Sequence, residues 1–274
     1  MNHINYQEIL RRIQESPSLV HCITNYVTVN DVANMILASG ASPIMADDEK
    51  EVEDITSICT SLVLNIGTLN ERTIQSMLRA GAKANVLGHP VVFDPVGAGA
   101  SKFRTEMAMK LLQKIRFSVI RGNISEIKTL CKGSGTTMGV DADRADAITE
   151  DYIDDVIAMA RELSRNTGAV VVITGAIDLI VGKQQAYAVY NGDPAMSRIT
   201  GTGCMLDGVI AGFIGSNQDQ VLEACTAAVS AMGLCGEYAK EKSEGTSSMR
   251  MSLIDGMSLL NAEWMERGSK IESK

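Results

Sequence analysis

Short apolar runs, many of them β-branched, alternate with longer segments whose apolar residues recur at helical spacing. Segment 27–39, VTVNDVANMILAS, puts Val32, Met35 and Ile36 on one helix face, and 169–173 is the most apolar short run. This alternation is typical of a parallel sheet covered on both faces by helices. The predicted strands are 19–22, 43–46, 62–66, 91–93, 117–121 and 169–173.

The helical pattern begins in the amphipathic amino-terminal segment 1–16, where Ile9, Leu10 and Ile13 share one side. Gly81 is expected to end one helix. A glycine-rich loop is expected at 133–139. The other predicted helices are 27–39, 49–59, 70–80, 105–114, one opened by Asn123, 150–165, 205–214, 218–241 and 252–267.

A closed barrel and an open doubly wound sheet both fit this alternation. Segment 178–190 favours the open sheet, because two apolar runs flank Gly182-Lys183-Gln184 as in a β-hairpin. The sequence therefore predicts an α/β fold with an open, mostly parallel sheet, helices on both faces and a late antiparallel hairpin at the edge. No linker interrupts the pattern, so residues 1–274 are expected to form one domain.

Composition narrows the classes of partner. A net charge of −8 with 4% aromatic residues disfavours nucleic acid, whose binding draws on Lys, Arg and stacking rings, and favours a small substrate. The six cysteines form no Cys-x-x-Cys pair, which predicts reduced thiols in the cytoplasm and neither a zinc site nor disulfides. No uncharged apolar run is long enough to span a membrane, so no membrane partner is expected.

The stretch 199–215, ITGTGCMLDGVIAGFIG, carries the strongest chemical signal. Gly201, Thr202 and Gly203 leave the backbone amides at the start of the next helix free to face an anion, helped by the helix dipole. Cys204 follows at that helix start, where a lowered thiol pKa is expected. The competing interpretation is a glycine turn with a buried cysteine.

Polar residues collect just after the predicted strands, where ligands bind in an open parallel sheet. Asp94 and Glu126 are candidates to hold a hydrated Mg²⁺, and Glu126 also fits a capping box with Asn123. Arg121 is a candidate to contact a triphosphate or to form a surface ion pair, and Thr174 for a phosphate contact or a turn. The full set is Asn25, Asn65, Asp94, Arg121, Asn123, Glu126 and Thr174.

Histidines offer a different chemistry. His21 or His89 paired with Cys204 would make a Cys–His hydrolase, provided that the two side chains meet in space. Both histidines are equally compatible with structural roles.

Five separated motifs carry a resemblance to a known family. They are HCITNYVTVNDVAN, DPVGAGAS, RGNISEI, VVVITGAIDLI and ITGTGCMLDGVIAGF, in this order and over residues 5 to 265. In this combination the chain resembles the hydroxyethylthiazole kinases, thiamin-salvage enzymes of the ribokinase-like superfamily. The resemblance implies transfer of the ATP γ-phosphoryl group to the hydroxyl of 4-methyl-5-(2-hydroxyethyl)thiazole.

The same resemblance implies roles for individual residues and an assembly. Asn25, Met45 and Gly201 resemble positions that contact the thiazole alcohol. Arg121 and Thr174 resemble ATP contacts, and Asp94 and Glu126 resemble the carboxylates on the magnesium side. Cys204 stands where relatives in the wider superfamily carry an aspartate base, so the thiol either accepts the hydroxyl proton or orients the hydroxyl. A homotrimer with active sites between neighbouring subunits is also implied.

Other functions remain open at this point. Within the superfamily they are a hydroxymethylpyrimidine kinase and an ATP-dependent hydrate dehydratase, against which the GTGC and HCITNYVT segments argue. Outside enzymes, the alternative is a non-catalytic nucleotide-binding subunit.

Overall fold

The computed structural model describes residues 4–132 and 152–274. The strands of these residues form one nine-stranded sheet. Its strand order is β2-β1-β3-β4-β5-β6-β7-β8-β9; the first six strands in this order run parallel and the last three alternate in direction. The strands are β1 (Leu19–Ile23), β2 (Ser42–Met45), β3 (Ser61–Asn65), β4 (Val91–Asp94), β5 (Val119–Asn123), β6 (Val170–Thr174), β7 (Asp178–Val181), β8 (Ala186–Val189) and β9 (Ile271–Ser273).

Helices cover both faces of this sheet. Helices α1, α2 and α8–α11 bury apolar residues on one face, and α3–α7 bury theirs on the other. A short 3₁₀ helix, Pro194–Arg198, leads into α8. The helices are α1 (Tyr6–Glu15), α2 (Val29–Ala38), α3 (Val52–Ile58), α4 (Glu71–Leu87), α5 (Lys102–Lys114), α6 (Ile124–Lys132), α7 (Ile153–Thr167), α8 (Thr202–Ser216), α9 (Val221–Lys242), α10 (Thr246–Leu259) and α11 (Ala262–Gly268).

Strand residues alternate between the two cores, as the pleat requires. Val92 and Val172 belong to the core under α8, whereas Phe93 and Ile173 belong to the core under α3–α7. Both faces are apolar because both are covered, which explains why the strands read as continuous apolar runs.

The predicted fold class is confirmed, and so is the hairpin, in which β7 and β8 pair from Asp178↔Val189 to Val181↔Ala186. One edge strand was not predicted: β9 pairs with β8 and extends the sheet by three residues. Its sequence, Ile-Glu-Ser, is too short and too polar for a strand pattern. Among the described helices, none has the length and apolarity needed to cross a membrane.

Two predicted helix ends are wrong. Gly81 does not end α4, which continues to Leu87 and is capped by Gly88 in the left-handed conformation (φ 75°). Gly81 lies inside this helix, where a glycine is needed because the Ile115 side chain fills the space that a Cβ would occupy. The predicted helix 252–267 is two helices, α10 and α11, separated by extended backbone at Leu260 and Asn261. The predicted loop 133–139 lies outside the described residues.

Small residues let α9 pack closely against the loop that follows β8. A Cβ on Gly233 would stand 2.8 Å from the backbone carbonyl carbon and oxygen of Asn191. Asn191 is held there, since its Nδ2 donates to the Gly268 carbonyl oxygen (2.9 Å) and its Oδ1 accepts from the Lys270 amide (2.8 Å). The close approach therefore rests on the missing side chain at Gly233.

We expect Gly233→Ala to lower the free energy of unfolding by about 1–2 kcal/mol, because overpacking against fixed backbone outweighs the better helix propensity of alanine. Chemical denaturation measures the change. Gly245→Ser is the matched control: no atom comes within 4 Å of a Cβ there, and serine is a favoured N-cap residue, so stability should stay within about 0.5 kcal/mol. Equal stability of the Gly233 variant and wild type would contradict the packing argument.

Candidate functional site

The candidate site lies where the carboxyl ends of the central parallel strands meet the amino end of α8. Strand register brings the polar residues side by side: Asn65 of β3 pairs with Asp94 of β4, and Asn123 of β5 pairs with Thr174 of β6. Asn25 follows β1 at the same edge. This edge is where parallel open sheets bind ligands.

Helix α8 begins in a conformation that only glycine adopts easily. Gly201 is its N-cap with φ 84°, and a Cβ at this position would overlap the Thr28 side chain. Thr202 is the first helical residue. A Cβ on Gly203 would overlap the Arg121 guanidinium, so the bare backbone of Gly203 lets Arg121 lie against the helix start.

Arg121 is held from two sides. Its Nη1 donates to Asp94 Oδ2 (2.9 Å), and its Nη2 donates to Thr174 Oγ1 (2.9 Å). Burial acts to lower the pKa of the guanidinium, but the carboxylates of Asp94, Asp207 and Glu126 outweigh it and raise the pKa, so the group is cationic. The surface ion pair, one of the two alternatives for Arg121, is wrong: Arg121 forms its ion pair with Asp94 in the interior, since Asp94 is fully buried and only 12% of the Arg121 side chain is exposed.

Two asparagines hold the Cys204 thiol in place. Asn25 Nδ2 donates to Cys204 Sγ (3.0 Å), while Asn25 Oδ1 accepts from the amide (3.2 Å) and hydroxyl (3.0 Å) of Thr28. Asn65 Nδ2 lies 3.3 Å from the same sulfur. Thr28, which orients Asn25, was missed because the sequence pattern placed it inside the predicted helix 27–39, whereas it is the N-cap of α2.

The expectation of a lowered Cys204 pKa is wrong. Burial raises the pKa of this thiol to about 12, and the nearby carboxylates of Asp94 and Asp207 add to the effect, while Arg121 opposes it. Burial and the neighbouring carboxyl groups together destabilise a thiolate more than the guanidinium stabilises it. Cys204 is therefore a thiol at neutral pH.

Glu126 caps the start of α6, as one of the two interpretations predicted. Its Oε2 accepts from the Asn123 amide (2.8 Å), and Asn123 Oδ1 accepts from the Glu126 amide (2.9 Å). Its Oε1 accepts from the Gly97 amide (2.8 Å), which fixes the DPVGAGAS loop. Burial and the charge of Asp94 raise the pKa of Glu126 to about 7.

Sequence reasoning missed Asp207, a fully buried carboxyl one helical turn beyond Cys204 on α8. Its Oδ2 accepts from Asn65 Nδ2 (3.1 Å), the amide that also donates to Asp94 Oδ2 (2.7 Å). Burial, followed by the charge of Asp94, raises the pKa of Asp207 well above its usual value. A signal was present: Asp207 is the one charged residue in the apolar run CMLDGVIAGF, three positions after the cysteine.

Three predicted residues remain: Met45 on the thiazole side, and the histidines His21 and His89 of the hydrolase alternative. Met45 ends the edge strand β2, level with Cys22 of β1, and lies at the same end of the sheet as Asn25. His21 does not serve Cys204, because its ring nitrogens bond Thr56 Oγ1 (2.9 Å) and the Ala46 carbonyl oxygen (2.8 Å). His89 precedes β4 at the opposite, amino end of the strands. The hydrolase alternative therefore has no base.

The donor set around Asp94 is suited to a divalent cation. One oxygen of Asp94, one oxygen of Asp207 and the Cys204 sulfur lie within 4.8 Å of one another. Within residues 4–132 and 152–274, Oδ1 of each aspartate is buried with no hydrogen-bond partner. Buried carboxylate oxygens that lack donors are the ligands that Mg²⁺ or Mn²⁺ requires.

Comparisons with known proteins point to one family. The model of the hydroxyethylthiazole kinase family matches residues 10–263. A hydroxyethylthiazole kinase from Clostridium acetobutylicum is 55% identical over 270 residues, covering 97% of this chain and 99% of its own. The solved structure of a hydroxyethylthiazole kinase protein from Pyrococcus horikoshii OT3 has a TM-score of 0.88 at 34% identity, covering 98% of both chains.

A more distant structure supports the fold class alone. A ribokinase-like superfamily protein from Enterococcus faecalis V583 superposes with a TM-score of 0.65 at 12% identity, covering 97% of this chain and 90% of its own. The family match over most of the chain and the 55% identity decide the assignment. The chain belongs to the hydroxyethylthiazole kinase family and has its phosphotransferase fold.

Proposed function

We propose that the chain transfers the γ-phosphoryl group of ATP to the hydroxyl of 4-methyl-5-(2-hydroxyethyl)thiazole, as a step of thiamin salvage. The observation that carries the proposal is the position of Arg121: a buried guanidinium lies against the amide-rich start of α8, one residue before Cys204. A guanidinium and the amino end of a helix lie together here, and both attract a phosphoryl group. The phosphoryl group would then lie next to Cys204, the residue proposed to contact the acceptor hydroxyl.

Phosphoryl transfer through a loose transition state depends on positioning and charge neutralisation. Gly201, Thr202 and Gly203 supply backbone amides toward the charge that develops on the transferred group. Arg121 and Thr174 contact ATP. Asn25, Met45 and Gly201 are assigned to the thiazole side of the site.

Cys204 orients the acceptor hydroxyl rather than acting as a strong base. Its thiol is protonated at neutral pH and accepts N–H groups from two asparagines, which fix the sulfur. A hydroxyl that donates to this sulfur keeps its oxygen lone pairs free for attack on the phosphorus. As the new O–P bond forms, the bond from phosphorus to the ADP oxygen breaks, and the hydroxyl proton passes late to an oxygen of the transferred phosphoryl group, as a loose transition state allows.

Asp94 and Glu126 are the residues proposed to hold Mg²⁺ on the nucleotide side. Asp94 fits, because Oδ1 is free of donors; both oxygens of Glu126 already accept backbone amides, which leaves it a contact through water. When bound, Mg²⁺ supplies charge neutralisation on the ATP phosphates.

We also propose a homotrimer with active sites between subunits. Tyr26 and Val27 follow Asn25 directly, yet they are 76% and 61% exposed in one chain, which is unusual for large apolar residues beside a site. A second subunit on this segment would cover them and close the thiazole side. Sedimentation equilibrium at the mass of one chain would contradict this assembly.

The test of the function is an ADP-release assay coupled to NADH oxidation, run with and without the thiazole alcohol. We expect alcohol-dependent ADP release and a phosphorylated product of matching mass. If hydroxymethylpyrimidine is the preferred acceptor, the chain is a hydroxymethylpyrimidine kinase. If a hydrated nicotinamide cofactor is preferred, it is an ATP-dependent hydrate dehydratase. Nucleotide binding without turnover of any of the three acceptors would indicate a non-catalytic subunit.

Gly203→Ala tests the contact between α8 and Arg121. We expect kcat to fall about 100-fold, because the new methyl group displaces the guanidinium that the proposal places at the phosphoryl group. Steady-state kinetics and thermal unfolding are measured on the same protein. A loss of stability in proportion to the loss of kcat would show that Gly203 serves folding alone.

Substitutions of Cys204 separate orientation from base catalysis. For Cys204→Ala we expect about a tenfold loss of kcat, below the 10²–10⁴-fold that a general base contributes. For Cys204→Asp we expect kcat equal to or above that of wild type, because a carboxylate both orients the hydroxyl and takes its proton. Unchanged kcat in the alanine variant would remove the thiol from the reaction.

A further inference from the structure

Asp207 is the one group of the site for which the reaction just described has no use. Its carboxyl is fully buried beside Asp94, in a helix whose other interior residues are apolar or small. Burying a second carboxylate next to the first is costly unless something compensates the charge. The compensation must therefore come from the surroundings or from a ligand.

The surroundings supply too few hydrogen-bond donors. Asn65 Nδ2 carries two hydrogens, yet three acceptors lie around it: Asp94 Oδ2 at 2.7 Å, Asp207 Oδ2 at 3.1 Å and Cys204 Sγ at 3.3 Å. Beyond these, Oδ1 of Asp94 and Oδ1 of Asp207 have no donor at all in the described part of the chain. Two buried oxygens are thus left for a ligand.

The surroundings also supply too little positive charge. The Arg121 guanidinium binds Asp94 through Oδ2, and its Nη1 stays 3.9 Å from Asp207 Oδ1, beyond hydrogen-bond distance. One guanidinium thus faces three buried carboxyl groups, those of Asp94, Asp207 and Glu126. This excess of carboxyl groups favours a divalent cation, which replaces their protons, over an anion or a neutral molecule.

We propose that Asp94 and Asp207 form an inner cation site that binds a divalent metal ion directly and without nucleotide. One oxygen of each carboxylate, within 4.8 Å of the other and of the Cys204 sulfur, provides one side of a coordination sphere, with water to complete it. Carboxylate and water ligands suit Mn²⁺ and Mg²⁺ alike. Cys204 is partly exposed, so the site opens toward the substrate side.

The inner cation site shares Asp94 with the proposed reaction, but it needs neither ATP nor the alcohol. It differs from the nucleotide-side metal in its second ligand, which is Asp207 and not Glu126. The two assignments therefore respond to different substitutions.

The test is titration of the nucleotide-free protein with Mn²⁺, with free ion followed by electron paramagnetic resonance. We expect one bound ion in wild type, at least about tenfold weaker binding in Asp207→Asn, and wild-type binding in Glu126→Gln. Asp219→Asn is the control, because that carboxylate forms an exposed ion pair with Arg12 and should leave binding unchanged. Mn²⁺ should also raise the unfolding temperature of wild type but not of Asp207→Asn.

Several outcomes would overturn the proposal. No Mn²⁺ binding by wild type would mean that a proton shared between the two carboxyls fills the gap. Equal binding by wild type and Asp207→Asn, or loss in Glu126→Gln alone, would assign the ion to the nucleotide side. If Asp207→Asn does not fold, Asp207→Ser serves as the second neutral variant. ADP release in the alcohol assay is scored separately, so either proposal can fail without the other.

Discussion

The contact between the Arg121 guanidinium and the bare backbone at Gly203 organises the site. A buried guanidinium is stable only with partners, and Asp94 and Thr174 supply them from the neighbouring strands β4 and β6. Because Gly203 has no side chain, the start of α8 packs directly against the Arg121 guanidinium. The same approach brings Cys204 within reach of Asn25, which follows β1, and Asn65, which ends β3.

Polar groups in this centre are shared, which makes their arrangement sensitive to single changes. Asn65 alone contacts Asp94, Asp207 and Cys204 through one nitrogen, while its oxygen accepts from the Gly67 amide (2.9 Å). Buried networks of this kind hold one geometry only while every member keeps its partners. The site is therefore held by hydrogen bonds on the sheet side, whereas Tyr26 and Val27 are exposed on the other side.

Much of the fold and part of the site could be predicted from the sequence, because they depend on local patterns. Apolar runs gave the parallel strands, and strand ends gave Asp94, Arg121 and Thr174. The misses are non-local: Gly81 reads as a helix end until Ile115 packs against it, and β9 exists only because β8 offers an edge. The predicted Cys204 pKa was wrong because tertiary packing buries the thiol, and the charge of Asp94, from another part of the chain, adds to the effect together with Asp207.

The layer of helices that contains α8 also contains α1, near the amino end of the described chain, and α11, near its carboxyl end. Helix α1 buries Ile9 and Ile13 in one core with α8, α9 and α11. During synthesis the chain grows from its amino end, so the apolar side of α1 emerges long before the helices that cover it. The asparagines at residues 25 and 65 are likewise made well before the glycines of α8. On the ribosome, the α8 side of the centre is therefore synthesised last, after all the strand-end side chains against which it packs.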